Sequence, residues 1–183
     1  MEPSELTDHF VKFPYRKEIR ENGDINNGGI DLLKEPHRID EIHEVQNFPW
    51  LKKFLVDVNN HDGLFMTFGC AFGNVEDNFC GYIDFSIRPD GPKSAKEIIN
   101  EIDHQFMSYL HDVMPEGETR QQAMKYAHHI SHWLHSPLEI YGESYSKVNL
   151  TVDADGEDGA AWLVDHVRHF LVEAYPSLPH LIS

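Results

Sequence analysis

The stretch LFMTFGCAFGNVEDNFCGYIDFSIRP, from Leu64 to Pro89, places the strongest constraint on the fold of this chain. It holds two runs rich in aromatic and aliphatic residues, separated by the polar segment GNVEDN. Such runs around a short polar break are typical of two strands joined by a turn. The sequence therefore predicts a central antiparallel hairpin over about residues 64–88.

The register of this hairpin follows from its apolar residues, because directly opposite residues share a face of the sheet. Matching the apolar face of each strand pairs Cys70 with Gly81. Cys80 then points to the other face, so we expect no disulfide between the two cysteines. That other face is small and polar, and it includes Asp84. It is either solvated or the floor of a binding site.

Helical periodicity and capping signals surround the hairpin. The segment after Pro49 has apolar residues on one face, as expected for an amphipathic helix. Later helices are predicted over 94–114, from about 119 to the Ser136–Pro137 stop, and from about 158 to 175. The alternating residues of LEIYGESYSKVNLTVDA predict one or more strands over about 138–153.

These elements predict a single α+β domain over residues 1–183. Its antiparallel sheet would combine the hairpin of about 64–88 with the strand or strands of about 138–153, and amphipathic helices would pack on it. Residues 1–37 contain Asn-Gly and Gly-Gly pairs, which favour turns. We interpret them as an irregular N-terminal segment of the same domain.

The charge of the chain limits the partners that it can bind. The chain has 31 acidic and 15 basic residues, for a formal net charge of −16. Residues 61–183 hold 19 of the acidic and 7 of the basic residues, a net of −12. Nucleic-acid backbones and anionic membranes both require a basic surface, so direct binding to either is not expected. A basic protein remains as a partner class, and solubility alone is the other explanation of this charge.

The first residues, MEPSELTDHF, have neither the basic nor the apolar region of a secretory signal, and no apolar run is long enough to span a membrane. With only two cysteines in 183 residues, a disulfide scaffold is also not expected. We predict a cytoplasmic protein.

Four histidines stand within the nine residues AHHISHWLH, which the periodicity places on a helix. On that helix His128, His132 and His135 would lie opposite the apolar face, which favours a solvated surface. The alternative is a metal site, because histidines at i and i+4 can bind one Zn²⁺ and a third can complete the ligands. That arrangement would indicate a metal-dependent hydrolase. His129 stands where the common zinc-protease pattern needs a glutamate.

A short acidic segment, DADGEDG, precedes the last helix and does not fit the calcium loop of an EF-hand. Its carboxylates, together with an aromatic residue that lies off the core side of the helix, form the predicted partner-binding site: Asp153, Asp155, Glu157, Asp158 and Trp162.

The sequence contains no complete catalytic motif, which favours a binding protein over an enzyme. The first hypothesis is an inhibitor or immunity-type module that engages a basic protein by charge complementarity. The second is the zinc hydrolase. A third is a ligand-binding or structural module that uses the small polar face of the hairpin.

Overall fold

A mixed six-stranded sheet organises the chain in a computed structural model that describes residues 1–3, 12–15, 18–19, 25–26 and 28–178. The strands of these residues are, in chain order, β1 (Glu2–Pro3), β2 (Lys12–Phe13), β3 (Glu18–Ile19), β4 (Ile25–Asn26), β5 (Phe65–Val75), β6 (Asn78–Ile87), β7 (Ser131–Ile140) and β8 (Glu143–Ala154). The four long strands lie in the order β7-β8-β6-β5 and are antiparallel, while β1 and β2 both pair with β7 in parallel. The short strands β3 and β4 form a separate pair.

The α+β class is therefore confirmed, but a purely antiparallel sheet is wrong. The two parallel additions are only two residues long, which is too short to leave a periodic signal in the sequence. The strand or strands expected at about 138–153 are a complete second hairpin that begins at Ser131.

The predicted register of the first hairpin is also wrong, because Cys70 pairs with Ile83 rather than with Gly81. The pairing shifts between Thr67 and Gly69, where a β-bulge inserts one extra residue into β5. Because a one-residue shift exchanges the two faces of a strand, Met66 lies on the opposite face of the sheet from Cys70, although strict alternation along β5 would place both on one face. The prediction for Cys80 is confirmed, since it lies on the opposite face from Cys70 and both thiols are free.

Six α-helices occur in the described residues. They are α1 (His43–Asn47), α2 (Pro49–Val58), α3 (Lys93–Ile98), α4 (Ile102–Val113), α5 (Glu118–Ile130) and α6 (Glu157–His169). A 3-10 turn joins α3 to α4, so the helix predicted over 94–114 is interrupted. A π-helical turn over Phe170–Ala174 continues α6. From α2 onwards the chain passes twice through the order helix, hairpin, helix.

The predicted histidine helix is wrong at its C-terminal end, because α5 stops at Ile130 and β7 begins at the next residue. Ser131 closes the helix, since its backbone N–H and its hydroxyl both donate to the Ala127 carbonyl, the hydroxyl at 2.6 Å. Pro137 lies within β7 between the short stretches that pair with β1 and β2. A proline is tolerated at such an edge position because no ladder bond there needs its N–H.

The main core lies between the helices and one face of the sheet. Helical periodicity identified most of its helical part correctly, because the buried apolar positions follow the predicted faces. On α2 and α6 they are Leu51, Phe54, Leu55, Val58, Ala160, Leu163, Val164 and Val167. No helix of the described residues is long and apolar enough to cross a membrane.

The other face of the sheet has a smaller apolar cluster at one end, where Phe13, Tyr15 and Leu33 contribute to it. Phe13 packs there against Phe68, with ring centroids 5.0 Å apart. The remaining buried members are Met66, Leu138, Ile140 and Tyr145. We call the rest of this face, which carries small and polar side chains, the polar face.

Candidate functional site

The predicted acidic site lies at the end of β8, where the chain turns into α6. Asp153 is near the end of the strand, Asp155 is in the turn, and Glu157 and Asp158 occupy the first helical turn. All four side chains are exposed. Negative charge is favourable at a helix N-terminus because the unpaired backbone N–H groups there carry partial positive charge. The sequence therefore places carboxylates where the backbone stabilises them.

Two of these carboxylates accept hydrogen bonds from neutral groups. Asp153 accepts from the Asn78 amide at 2.8 Å and from the Cys80 thiol at 3.3 Å. Glu157 accepts from the indole N–H of Trp50 at 2.9 Å. Among the ion pairs of the described residues, none joins any of the four carboxylates to a lysine or arginine. Their charge is therefore not neutralised by a paired side chain in that part of the chain.

The turn between β5 and β6 adds two exposed acidic residues, Glu76 and Asp77. This turn lies beside the end of β8, because Phe79 pairs with Ala154 and Asn78 bonds to Asp153. We call the whole group the acidic end, and it consists of Glu76, Asp77, Asp153, Asp155, Glu157 and Asp158. Sequence reasoning missed Glu76 and Asp77, because it predicted the hairpin but not that β6 neighbours β8.

An aromatic cluster adjoins the acidic end, and its central residue was also missed. Trp50 packs edge-on against Phe72 with a centroid distance of 5.0 Å, and against Phe48 at 5.6 Å. These three side chains are half-buried. The sequence placed Trp50 on the core side of α2 and contained no signal of its bond to Glu157, which lies 107 residues away.

Trp162, the predicted aromatic contact, is half-buried and packs against the main core. Its ring lies 5.6 Å from that of Tyr126 on α5 and 4.9 Å from that of His166. The helical angle of Trp162 does place it off the centre of the core face. However, α5 approaches that flank of α6, which a helical projection of α6 alone does not reveal.

The three candidate zinc ligands do not converge. His128 is exposed at the end of α5, whereas His132 and His135 lie on β7. Residues three apart on a strand point to opposite faces, so the helical spacing that suggested chelation does not exist. Within the described residues, no group of three or more His, Cys, Asp or Glu side chains is arranged to hold a metal ion.

The polar face contains a buried ion pair, in which Lys147 Nζ lies 3.0 Å from a carboxylate oxygen of Asp84. The side chains are 11% and 8% exposed, respectively. Asn149 donates to the other Asp84 oxygen at 2.7 Å, and Thr151 donates to Asn149 at 2.9 Å. Because these groups satisfy one another, the network joins β6 to β8 and holds the polar face in place.

Neither cysteine is suited to act as a nucleophile, since a thiol must ionise to attack. Burial raises the pKa of Cys70, and the fields of Glu44 and Asp84 raise it further. For Cys80, desolvation raises the pKa first, and the hydrogen bond to Asp153 and its charge add to this. Asp153 is thus the carboxylate that adds to the effect of desolvation on the Cys80 thiol.

Two open grooves lie away from the acidic end. One, of about 590 Å³, is lined by the start of α5 around Arg120 and Met124. The other, of about 340 Å³, lies between α4 and the π-helical turn, around Tyr109 and Phe170. The acidic end itself consists of exposed side chains at a hairpin turn, at the end of a strand and at the start of a helix.

Comparison with known proteins found no matching family model, no matching curated protein and no matching solved structure.

Proposed function

We propose that this chain is a small, acidic, soluble binding protein of the cytoplasm that engages a basic protein partner through its acidic end. The observation that carries the proposal is the grouping of six exposed carboxylates at one end of the sheet, none of which pairs with a lysine or arginine of the described residues. Unpaired charge of one sign attracts a surface of the opposite sign and speeds association.

The finer proposal is an inhibitor or immunity-type module that blocks the basic surface of its partner. Charge sets the orientation and the association rate, while a few well-packed aromatic residues supply most of the binding free energy. Trp50 and Trp162 are the two tryptophans beside the acidic end, and both are half-buried. Of the two, Trp50 is joined directly to a carboxylate of that surface.

The zinc hydrolase has no comparable support, because the described residues do not bring His128, His132 and His135 together. The polar face also offers less for binding, since its central ion pair and amide already satisfy one another. Contact with nucleic acid or a membrane surface is disfavoured by the net charge of −16.

In the test, three forms of the chain are immobilised and exposed to an extract of its own cells at moderate salt. The proteins that each form retains are then identified by native mass spectrometry. The forms are the wild type, a variant with Asp153→Asn, Asp155→Asn, Glu157→Gln and Asp158→Asn, and a control. The control removes the same charge from four exposed carboxylates elsewhere, at Glu101, Asp112, Glu116 and Glu118.

The proposal expects a one-to-one complex with a basic protein that forms with the wild type and the control but not with the first variant. Equal loss in both variants would show that net charge alone is responsible. A complex that resists both changes, or a retained partner that is acidic, would overturn the proposal.

A further inference from the structure

His166 of α6 is partly buried beside the Trp162 ring, and one of its ring nitrogens lacks a hydrogen-bond partner. The Nδ1 atom is buried and makes no hydrogen bond. The imidazole lies 4.9 Å from the Trp162 ring at an interplanar angle of 69°. In the neutral ring Nδ1 is an acceptor when Nε2 carries the proton, whereas in the protonated ring both nitrogens are donors. Protonation would therefore place a charged, unpaired N–H in this buried position.

The aromatic contacts continue from His166 to the first turn of α6. Trp162 packs on Tyr126 of α5 with centroids 5.6 Å apart. The Tyr126 hydroxyl in turn packs so closely on Gly159 that a Cβ atom there would lie only 2.0 Å from it. The order His166, Trp162, Tyr126, Gly159 thus links the middle of α6 to the turn that carries Asp155 and Asp158.

Some of the charged groups around His166 favour protonation of its ring, and others oppose it. On its own helix, the Asp165 charge favours protonation and the His169 charge opposes it, and desolvation is the largest influence, so that the pKa of His166 is lowered. From α2, Lys53 and Asp57 face this part of α6, and Asp57 forms an ion pair with Arg168.

On α5, burial and the field of Asp155 raise the pKa of Tyr126, which keeps its hydroxyl neutral. On α4, burial likewise raises the pKa of Tyr109, and Glu173 and Asp165 add to the rise. Neither tyrosine therefore places a charge beside the imidazole. The helix macrodipole does not offset the desolvation either, because the helical backbone continues past His166 to Ser177.

We propose that His166 is a pH-dependent latch, whose neutral ring holds Trp162 against Tyr126 and whose protonated ring turns out to solvent and releases this contact. The released state loosens the support of the first turn of α6, and so alters the acidic end as pH falls. The latch is a property of the isolated chain and does not depend on the proposed partner.

One physical effect opposes the latch, so the direction in which the pKa of His166 is shifted decides between the two alternatives. An imidazolium over the face of an indole ring gains cation–π attraction, which would favour the protonated form. Under that alternative His166 would titrate above the ordinary histidine pKa of about 6.5, and protonation would tighten its contact with Trp162.

The test follows the His166 ring and the Trp162 indole N–H by NMR between about pH 8 and pH 5, a range that brackets the ordinary histidine pKa. The latch predicts a His166 midpoint below 6.5 and a shift of the Trp162 signal with the same midpoint. In His166→Gln the Trp162 shift disappears, while His169→Gln, at the neighbouring half-exposed histidine, keeps it.

Three results would overturn the latch. They are a His166 midpoint at or above about 6.5, a Trp162 signal that does not follow it, and a Trp162 transition that survives His166→Gln. The first two are measured on the wild type, so the conclusion holds even if a variant fails to fold. Because no partner is present, these results are separate from success or failure of the proposed binding function.

Discussion

Replacing the buried Arg88 with methionine is expected to destabilise the fold strongly. Arg88 is 5% exposed, and its guanidinium donates only to backbone carbonyls. Two acceptors are the buried residues Phe65, at 2.7 Å, and Val58, at 3.3 Å. The others are Asn60 and His61, whose side chains are exposed. One side chain therefore ties the end of α2 to β5 and β6.

The magnitude follows from which carbonyls water can reach once the guanidinium is removed. Asn60 and His61 lie in an exposed turn, so their carbonyls can bind water instead. The carbonyls of Phe65 and Val58 stay buried, and each unsatisfied buried group costs about 1–3 kcal/mol. We expect a loss of about 4 kcal/mol, which is a large part of the ~5–15 kcal/mol stability of an ordinary domain.

Urea unfolding followed by circular dichroism measures this loss. Arg88→Lys should recover only part of it, because one ammonium cannot reach all the carbonyls. Arg120→Met is the matched control. The hydrogen bonds of Arg120 also go only to a carbonyl, that of Met114, but Arg120 is half-buried and has an ion-pair partner in Glu116 at 4.0 Å. We expect its loss to stay near ~1 kcal/mol. A loss for Arg88→Met no larger than that of the control would refute the reasoning.

Three other ionisable groups of the chain can be tested by substitution or by a change of pH. Asp84→Ala leaves the Lys147 ammonium buried without its counter-ion, so urea unfolding should show that the free energy of unfolding falls by ~3–5 kcal/mol. The double variant Asp84→Leu with Lys147→Met should recover much of this stability, and a double variant as unstable as the single one would contradict the prediction. Asp153→Asn should speed the reaction of Cys80 with a thiol reagent at pH 8, because desolvation then remains but the carboxylate that further raises the Cys80 pKa is gone. Cys70 should stay protected until the chain unfolds, and an unchanged Cys80 rate would show that Asp153 has no such effect. Protonation of all 13 histidines would change the formal charge from −16 to −3. The rate of association with a basic partner, measured by stopped flow, should therefore fall as the pH is lowered from about 7 to 5. A rate that is independent of pH and salt would contradict charge steering.

Helix positions and their buried sides could be predicted well from the sequence. Leu51 and Phe54 on α2, and Leu163 and Val167 on α6, are buried as their spacing indicated. This pattern is local, because a helix makes its hydrogen bonds within itself and needs only an apolar face to dock. The acidic turn of Asp153 to Asp158 was likewise visible, since its charge and its position before a helix are both local properties.

Strand pairing and the ends of helices could not be predicted in the same way. The residues of AHHISHWLH fit a helical face, yet those after Ile130 extend as β7 because β8 supplies a ladder over ten residues. The bulge beside Gly69 depends on how β5 fits against β6, and the approach of Glu76 to Asp153 depends on strand order.

Composition and short-range periodicity were enough to predict the class of fold, the amphipathic helices and the excess of acidic charge. The folded chain was needed to show that the histidines diverge, that Trp162 packs between Tyr126 and His166, and that Trp50 donates a hydrogen bond to Glu157. These outcomes depend on hydrogen bonds and packing between segments that are far apart in the chain, and such contacts leave no trace in the local pattern of residues.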